Sequence, residues 1–330
     1  MTAVARAPRG RSVRSSAGLW TTEPVGRSGD TDRGSIAGLS RLESAVVEAV
    51  AYADVFDWPL TPDEVHRYLP VPATRGQVDE VLARPALRRF LDGSDGFVKL
   101  QGRAGLVGGR RRRAAASASL WPRAIRYARL VASLPFVRLV AITGSLAVDA
   151  AEGSADVDLL VVTEDGRLWL SRAMSMGVVR VAALDRLRLC PNYLLAESAL
   201  RIEDRSLFTA HELVQMVPVA DSPAYGELLR QNAWFRDFLP NSEPRPPLSA
   251  GRLGRAETPW RRIAEAPLRS TLGDRIDRWE MRRKVRRLSV ASTSEETRYD
   301  AACCKGHSEE HGRRSLAAFH ARLRGLEEAS

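Results

Sequence analysis

Hydrophobic and polar positions along this chain fall into segments of different period. Residues 1–38 show none: Arg, Ser, Gly and Thr dominate, and too little apolar surface is present to offset the entropy of ordering, which predicts a disordered basic tail. From Leu39 the spacing becomes helical, with Leu42, Val46, Ala49, Val50 and Ala53 along one face. Thr61-Pro62-Asp63-Glu64 and Thr74-Arg75-Gly76-Gln77 each set a hydroxyl three positions before Glu or Gln, the pattern of a capping box at a helix start. Two apolar segments, LRRFL and GFVKL, flank DGSDG and predict a hairpin turned at glycine. Val137 to Ile142 is a continuous aliphatic run that predicts a buried strand, and a second run, LLVV, follows Asp158.

Three helices and a hairpin over 39–102 follow the plan of a winged-helix-like module, in which Gln77 to Leu82 takes the place of the recognition helix. A helical packing domain with a hairpin lid has the same element order. The recognition-like helix carries Asp79 and Glu80 beside only Arg75 and Arg84, a poor surface for a polyanion. Gly108 and Gly109 predict a flexible joint in a linker over 103–134, with a helix from about Ala118 to Ser133 that stops before Pro135. Arg110 to Arg113 read as a solvated linker face, with a contact to nucleic acid or polyphosphate as the functional alternative. Residues 135–240 then form an α/β core, and 241–330 a charged, helical C-terminal region that begins in the proline-rich LPNSEPRPPLSAG.

Composition narrows the class only slightly. The chain has 330 residues, 44% hydrophobic, with a formal net charge of +10 carried by arginine, since Lys99, Lys284 and Lys305 are its only lysines. A basic surface favours phosphate-bearing partners, nucleotide or nucleic acid, over acidic proteins. Three cysteines, Cys190, Cys303 and Cys304, are too few for a disulfide framework, so a reducing cytoplasm is expected. No apolar run reaches the roughly 18–20 residues of a spanning helix, and no membrane partner is expected. Cys303, Cys304, His307 and His311 lack zinc-site spacing, because neighbouring cysteines cannot easily share one tetrahedral ion. His211, alone on a helix, is expected to be structural, and Leu213, Met216, Trp234 and Phe238 to be core.

The chemistry concentrates at VRLVAITGSLAVDAAEGSADVDLLVV, Val137 to Val162. Gly144 lets backbone approach a ligand closely, and Ser145 offers a hydroxyl beside free N–H groups that suit a phosphate. In a strand Asp156 and Asp158 share one face while Val157 points to the core. The two carboxylates repel, and no neighbouring residue in the chain supplies an obvious fixed cation. A divalent ion resolves that repulsion: Mg²⁺ takes one or two carboxylates and completes its shell with phosphate oxygens. A pair of ions would orient the attacking oxygen and stabilise a leaving pyrophosphate.

With its hydrophobic strand, Gly-Ser, spacer and Asp-hydrophobic-Asp, this stretch resembles the nucleotidyltransferase superfamily related to DNA polymerase β. The whole layout is also similar to bacterial nucleotidyltransferase-domain proteins. The resemblance implies an α/β core with a mixed sheet and Mg²⁺ or Mn²⁺ on Asp156 and Asp158. It also implies an NTP bound over Gly144 and Ser145, and transfer of a nucleoside monophosphate to a hydroxyl acceptor. It further implies a third carboxylate on a later strand; Glu197 is the first candidate, Glu203 and Asp204 are others, and Asn192 stands where some members carry Asp. The alternative from a different class is a DNA-binding regulator in which the winged helix acts and the core only senses nucleotide.

Overall fold

The computed structural model describes residues 36, 38–153, 155–248, 259–291, 297–306 and 311–328. The basic tail expected over 1–38 lies outside them except for Ile36 and Gly38, and Ile36 is buried in the core, so the expected boundary at 38 falls too late. The zinc reading's His307 also lies outside the described residues.

The N-terminal elements form for the local reasons written in the sequence. Helix α1 (Arg41–Asp54) is followed by α2 (Pro62–Arg67) and α3 (Arg75–Leu82), whose N-caps Thr61 and Thr74 both close capping boxes, with Glu64 and Gln77. The hairpin β1 (Leu91–Ser94) and β2 (Phe97–Leu100) turns at Asp95-Gly96, where φ of 54° and 79° give the left-handed pair that matches strand twist. Its first strand starts later than LRRFL predicts, because Pro85–Arg89 winds as a 3₁₀ turn instead. Leu60 pairs with Val98 in a single antiparallel bridge beside the two-stranded hairpin.

No flexible joint follows. Helix α4 runs unbroken over Leu106–Ala132, with Gly108 and Gly109 inside its first turns. The Arg110 guanidinium holds Glu64 through two hydrogen bonds of 2.6 and 2.8 Å and lies over the rings of Trp58 and Phe97. Arg113 donates to the Phe56 carbonyl at 3.2 Å. These bonds fasten the helix to the N-terminal elements and outweigh the roughly 1 kcal/mol that each glycine costs in a helix. Two arginines of the basic run therefore act inside the molecule.

Beyond α4 the chain enters a mixed sheet. In order come β3 (Val137–Thr143), the short α5 (Gly144–Ala147), β4 (Val157–Thr163), α6 (Leu168–Leu184) and β5 (Leu189–Ala196). They are followed by α7 (Leu207–Gln215), β6 (Val217–Pro218), α8 (Pro223–Gln231), α9 (Pro259–Leu268) and α10 (Thr271–Ala291). Last come β7 (Arg298–Tyr299), β8 (Cys303–Lys305) and α11 (His311–Glu328). Six strands lie in the order β6-β3-β4-β5-β8-β7, antiparallel except for the parallel β4–β5 pair, so the fold is α+β. Among the described residues no helix is long and apolar enough to cross a membrane.

Side-chain alternation splits the strands between two cores. Val157, Leu159, Val161 and Leu194 pack with α4 and α6, whereas Leu160, Val162 and Leu195 pack with α7, α8 and the N-terminal helices in one continuous cluster. His211 sits inside that second cluster, stacked on Tyr52 at 4.3 Å between ring centroids and tilted against Tyr68, while Gln215 meets its Nδ1 at 3.1 Å. Burial holds its pKa down at about 3, and it serves as a neutral core residue. Leu213, Met216 and Trp234 are core as expected, with Phe238 partly buried against them.

Candidate functional site

The register of β3 on β4 sets Thr143 opposite Asp158, so the bend that leaves β3 lies directly beside the first carboxylate of β4. Gly144 has φ of +66°, and a Cβ built on it would overlap Asp158 Oδ2 and stand 3.3 Å from that residue's Cβ and Cγ. Only glycine serves there, because it tolerates positive φ and leaves room for the carboxylate. The spacer between bend and aspartates is tied down from α4: Trp121 Nε1 donates to Asp149 at 2.8 Å, and the Ala151 N–H donates to Ser117 Oγ at 3.0 Å.

Val157 is fully buried, while Asp156 and Asp158 stay partly exposed on either side of it, as alternation requires. Burial first, and then the charge of Asp156, push Asp158 up to about 6. Burial and the same two carboxylates raise the neighbouring Cys190 thiol to about 11, which keeps it protonated and a poor metal ligand.

Two partners of the aspartates were not legible from the motif. Arg188 Nε lies 2.8 Å from Asp156 Oδ1, so a cation does stand beside the pair, correcting the expectation that none was at hand. It comes from the residue before β5, brought in by the parallel β4–β5 pairing, a contact no local pattern encodes. Asn192 donates its amide to Asp158 Oδ1 at 2.9 Å. The β4–β5 register shifts between Leu159 and Leu160, pairing Pro191 and then Tyr193, so Asn192 is the extra residue of a bulge aimed at the carboxylate.

The expected third carboxylate is elsewhere. Glu197 follows the far end of β5, about 20 Å from Asp158 at a rise of roughly 3.3 Å per residue. There it lies 3.8 Å from Arg138, in a network with Glu164 and Glu265 that holds α9 on the sheet. Glu203 pairs with Arg298 at 3.2 Å, and Asp204 accepts from Thr209 at 2.8 Å. Asn192 thus occupies the place beside Asp158 where an acid was sought. Cys303 and Cys304 point into opposite cores from β8 and cannot share an ion, and among the described residues no group of three or more His, Cys, Asp or Glu is arranged for a metal.

Two carboxylates, one of them held by the Asn192 amide N–H, fit a single hard cation whose remaining positions are filled by phosphate and water. They do not supply the ligands of a three-acid, two-metal centre. On the same sheet face, starting at Tyr193 and running along β5 and β8, a cavity of about 1080 Å³ opens. Its lining includes Arg201, Arg205, Arg298, Lys305 and Arg313. Comparison with protein-family models, curated proteins and solved structures returned no match.

Proposed function

We propose that the chain is a metal-dependent nucleotidyltransferase, moving a nucleoside monophosphate from an NTP to a hydroxyl acceptor. The observation that carries this reading is the close contact of Gly144 with Asp158 at the bend that leaves β3, with Asp156 two residues before it. Asp156 and Asp158 would hold Mg²⁺ or Mn²⁺, which when bound supplies charge neutralisation for the phosphates and the departing pyrophosphate. The residues themselves position. Gly144 leaves room for the Asp158 carboxylate against the bend, Ser145 adds a hydroxyl there for the triphosphate, Asn192 fixes the Asp158 rotamer, and Arg188 shields Asp156 until the nucleotide arrives. The pKa of about 6 keeps Asp158 largely ionised at neutral pH and ready to bind a cation.

The three helices, the hairpin and the Leu60–Val98 bridge support a winged-helix-like module, but not a regulator that reads DNA through α3. That helix exposes Gln77, Asp79 and Glu80, and its Arg75 is held by Asp63 at 2.6 Å. Such a surface repels a phosphate backbone. The test is incubation of the full chain with labelled NTPs, Mg²⁺ and a cell extract. Label transfer with pyrophosphate release, lost in Asp156→Ala and Asp158→Ala, supports the reading; sequence-selective binding to genomic fragments without NTP turnover overturns it in favour of the regulator.

A further inference from the structure

The basic cavity is the feature that the aspartate pair leaves unused. Of its two acids Glu203 is paired with Arg298, while Asp204 accepts from Thr209 and keeps its charge. Its bases are not balanced in the same way. Arg201 and Arg205 make no ion pair among the described residues, and Lys305 stands 5.5 Å from the centre of the Tyr193 ring without a carboxylate partner among them. Arg201, Arg205 and Lys305 outnumber Asp204, the one lining acid that no cation meets among the described residues, and an anionic guest relieves the repulsion among them. A volume near 1080 Å³ is at the upper end of small-molecule sites and has room for a nucleotide-sized guest.

Its position matters as much as its charge. Tyr193 pairs with Lys305 across β5–β8, and Tyr193 directly follows Asn192, whose amide touches Asp158. The Gly144 bend lies on the β3 side of Asp158 and Tyr193 on its β5 side, so the cavity starts across Asp158 from the bend. We infer that the cavity binds the acceptor, and that the acceptor is a small, multiply phosphorylated molecule carrying a free hydroxyl. The inference rests on the transferase reading for its chemistry but not for its binding. In the reaction the acceptor oxygen forms a bond to the α-phosphorus of the NTP, the bond from that phosphorus to the β-phosphate oxygen breaks, pyrophosphate leaves, and the hydroxyl proton passes to solvent.

The probe is adenosine 3′,5′-bisphosphate, which carries two phosphates and a free 2′-hydroxyl, titrated calorimetrically into the full chain in metal-free buffer, with adenosine as the neutral control. Expected are binding that weakens with added salt, a loss of at least tenfold in the Arg201→Glu/Arg205→Glu variant, and no binding of adenosine. Equal affinity in the double variant, or equal binding of adenosine, overturns the assignment. Adding labelled NTP and Mg²⁺ separates the two claims. Binding without label transfer from any NTP refutes the transferase and leaves the polyanion site standing. Transfer to neutral acceptors that is unchanged in the double variant refutes the cavity assignment and leaves the transferase standing. Circular dichroism of the variant checks that these two exposed substitutions leave the fold intact.

Discussion

Gly144 and Asp158 occupy each other's space: the carboxylate fills the volume that any β-carbon at position 144 would need. The contact joins the end of one strand to the start of its antiparallel neighbour, and makes the bend and the aspartate a single unit. Gly144→Ala is therefore expected to displace Asp158 and strain the left-handed backbone, costing about 2 kcal/mol by thermal unfolding. Nucleotidyl transfer should fall at least a hundredfold. Ser145→Ala, one residue on, should leave stability within about 0.5 kcal/mol of the parent.

The raised pKa of Asp158 fixes the sign of a pH effect. An acid whose pKa moves from 3.8 to about 6 on folding holds its proton more tightly in the native state. Its contribution is full below pH 4 and is lost as pH rises through 6. The shift corresponds to roughly 3 kcal/mol before the carboxyl's partial exposure is allowed for, and an effect of about 2 kcal/mol is expected. His211 works the other way, since a buried neutral imidazole with a pKa of about 3 loses stability as pH falls below 6.5. The Asp158 part is isolated by comparison: in metal-free buffer Asp158→Asn should be more stable than the parent at pH 7.5, with the gap narrowing as pH falls and closing below about pH 4.

Arg188 competes with any cation for Asp156. Arg188 is well exposed and Asp156 partly so, and removal of the pair in Arg188→Ala should change stability by about 1 kcal/mol or less. The same change should tighten Mn²⁺ binding several-fold, read by calorimetry at low ionic strength. Weaker Mn²⁺ binding would show that Arg188 positions Asp156 instead of shielding it.

Asn192→Asp places a third acid within hydrogen-bond distance of Asp158. Mutual repulsion should lower the melting temperature of the metal-free protein by several degrees. Mg²⁺ should restore it, and metal affinity should exceed that of the parent at least tenfold.

What the sequence revealed follows from how local each signal is. The capping boxes at Thr61 and Thr74, the Asp95-Gly96 turn and the alternation around Val157 each depend on residues a few positions apart, and each formed as expected. The bulge at Asn192, the arrival of Arg188 beside Asp156 and the removal of Glu197 to the far end of the sheet depend on strand register. No local pattern carries that register, because it is set by which apolar residues bury together. Gly108 and Gly109 misled for a related reason. Their helix is held by Arg110 contacts to residues some fifty positions away, a tertiary override of weak local propensity. Helix α9 extends the point: Arg261 and Glu265 are its most buried charged residues, while Trp260 and Ile263 face outward, because the Arg138 network holds its polar side inward.

The most direct test of the aspartate pair is Mn²⁺ binding in the presence of a non-hydrolysable NTP, followed by electron paramagnetic resonance on the full chain. One bound Mn²⁺ per chain that requires the nucleotide, and is lost in the Asp156→Asn/Asp158→Asn variant while its circular dichroism is unchanged, is the expected result. Retention of the same Mn²⁺–nucleotide complex in that variant would contradict it.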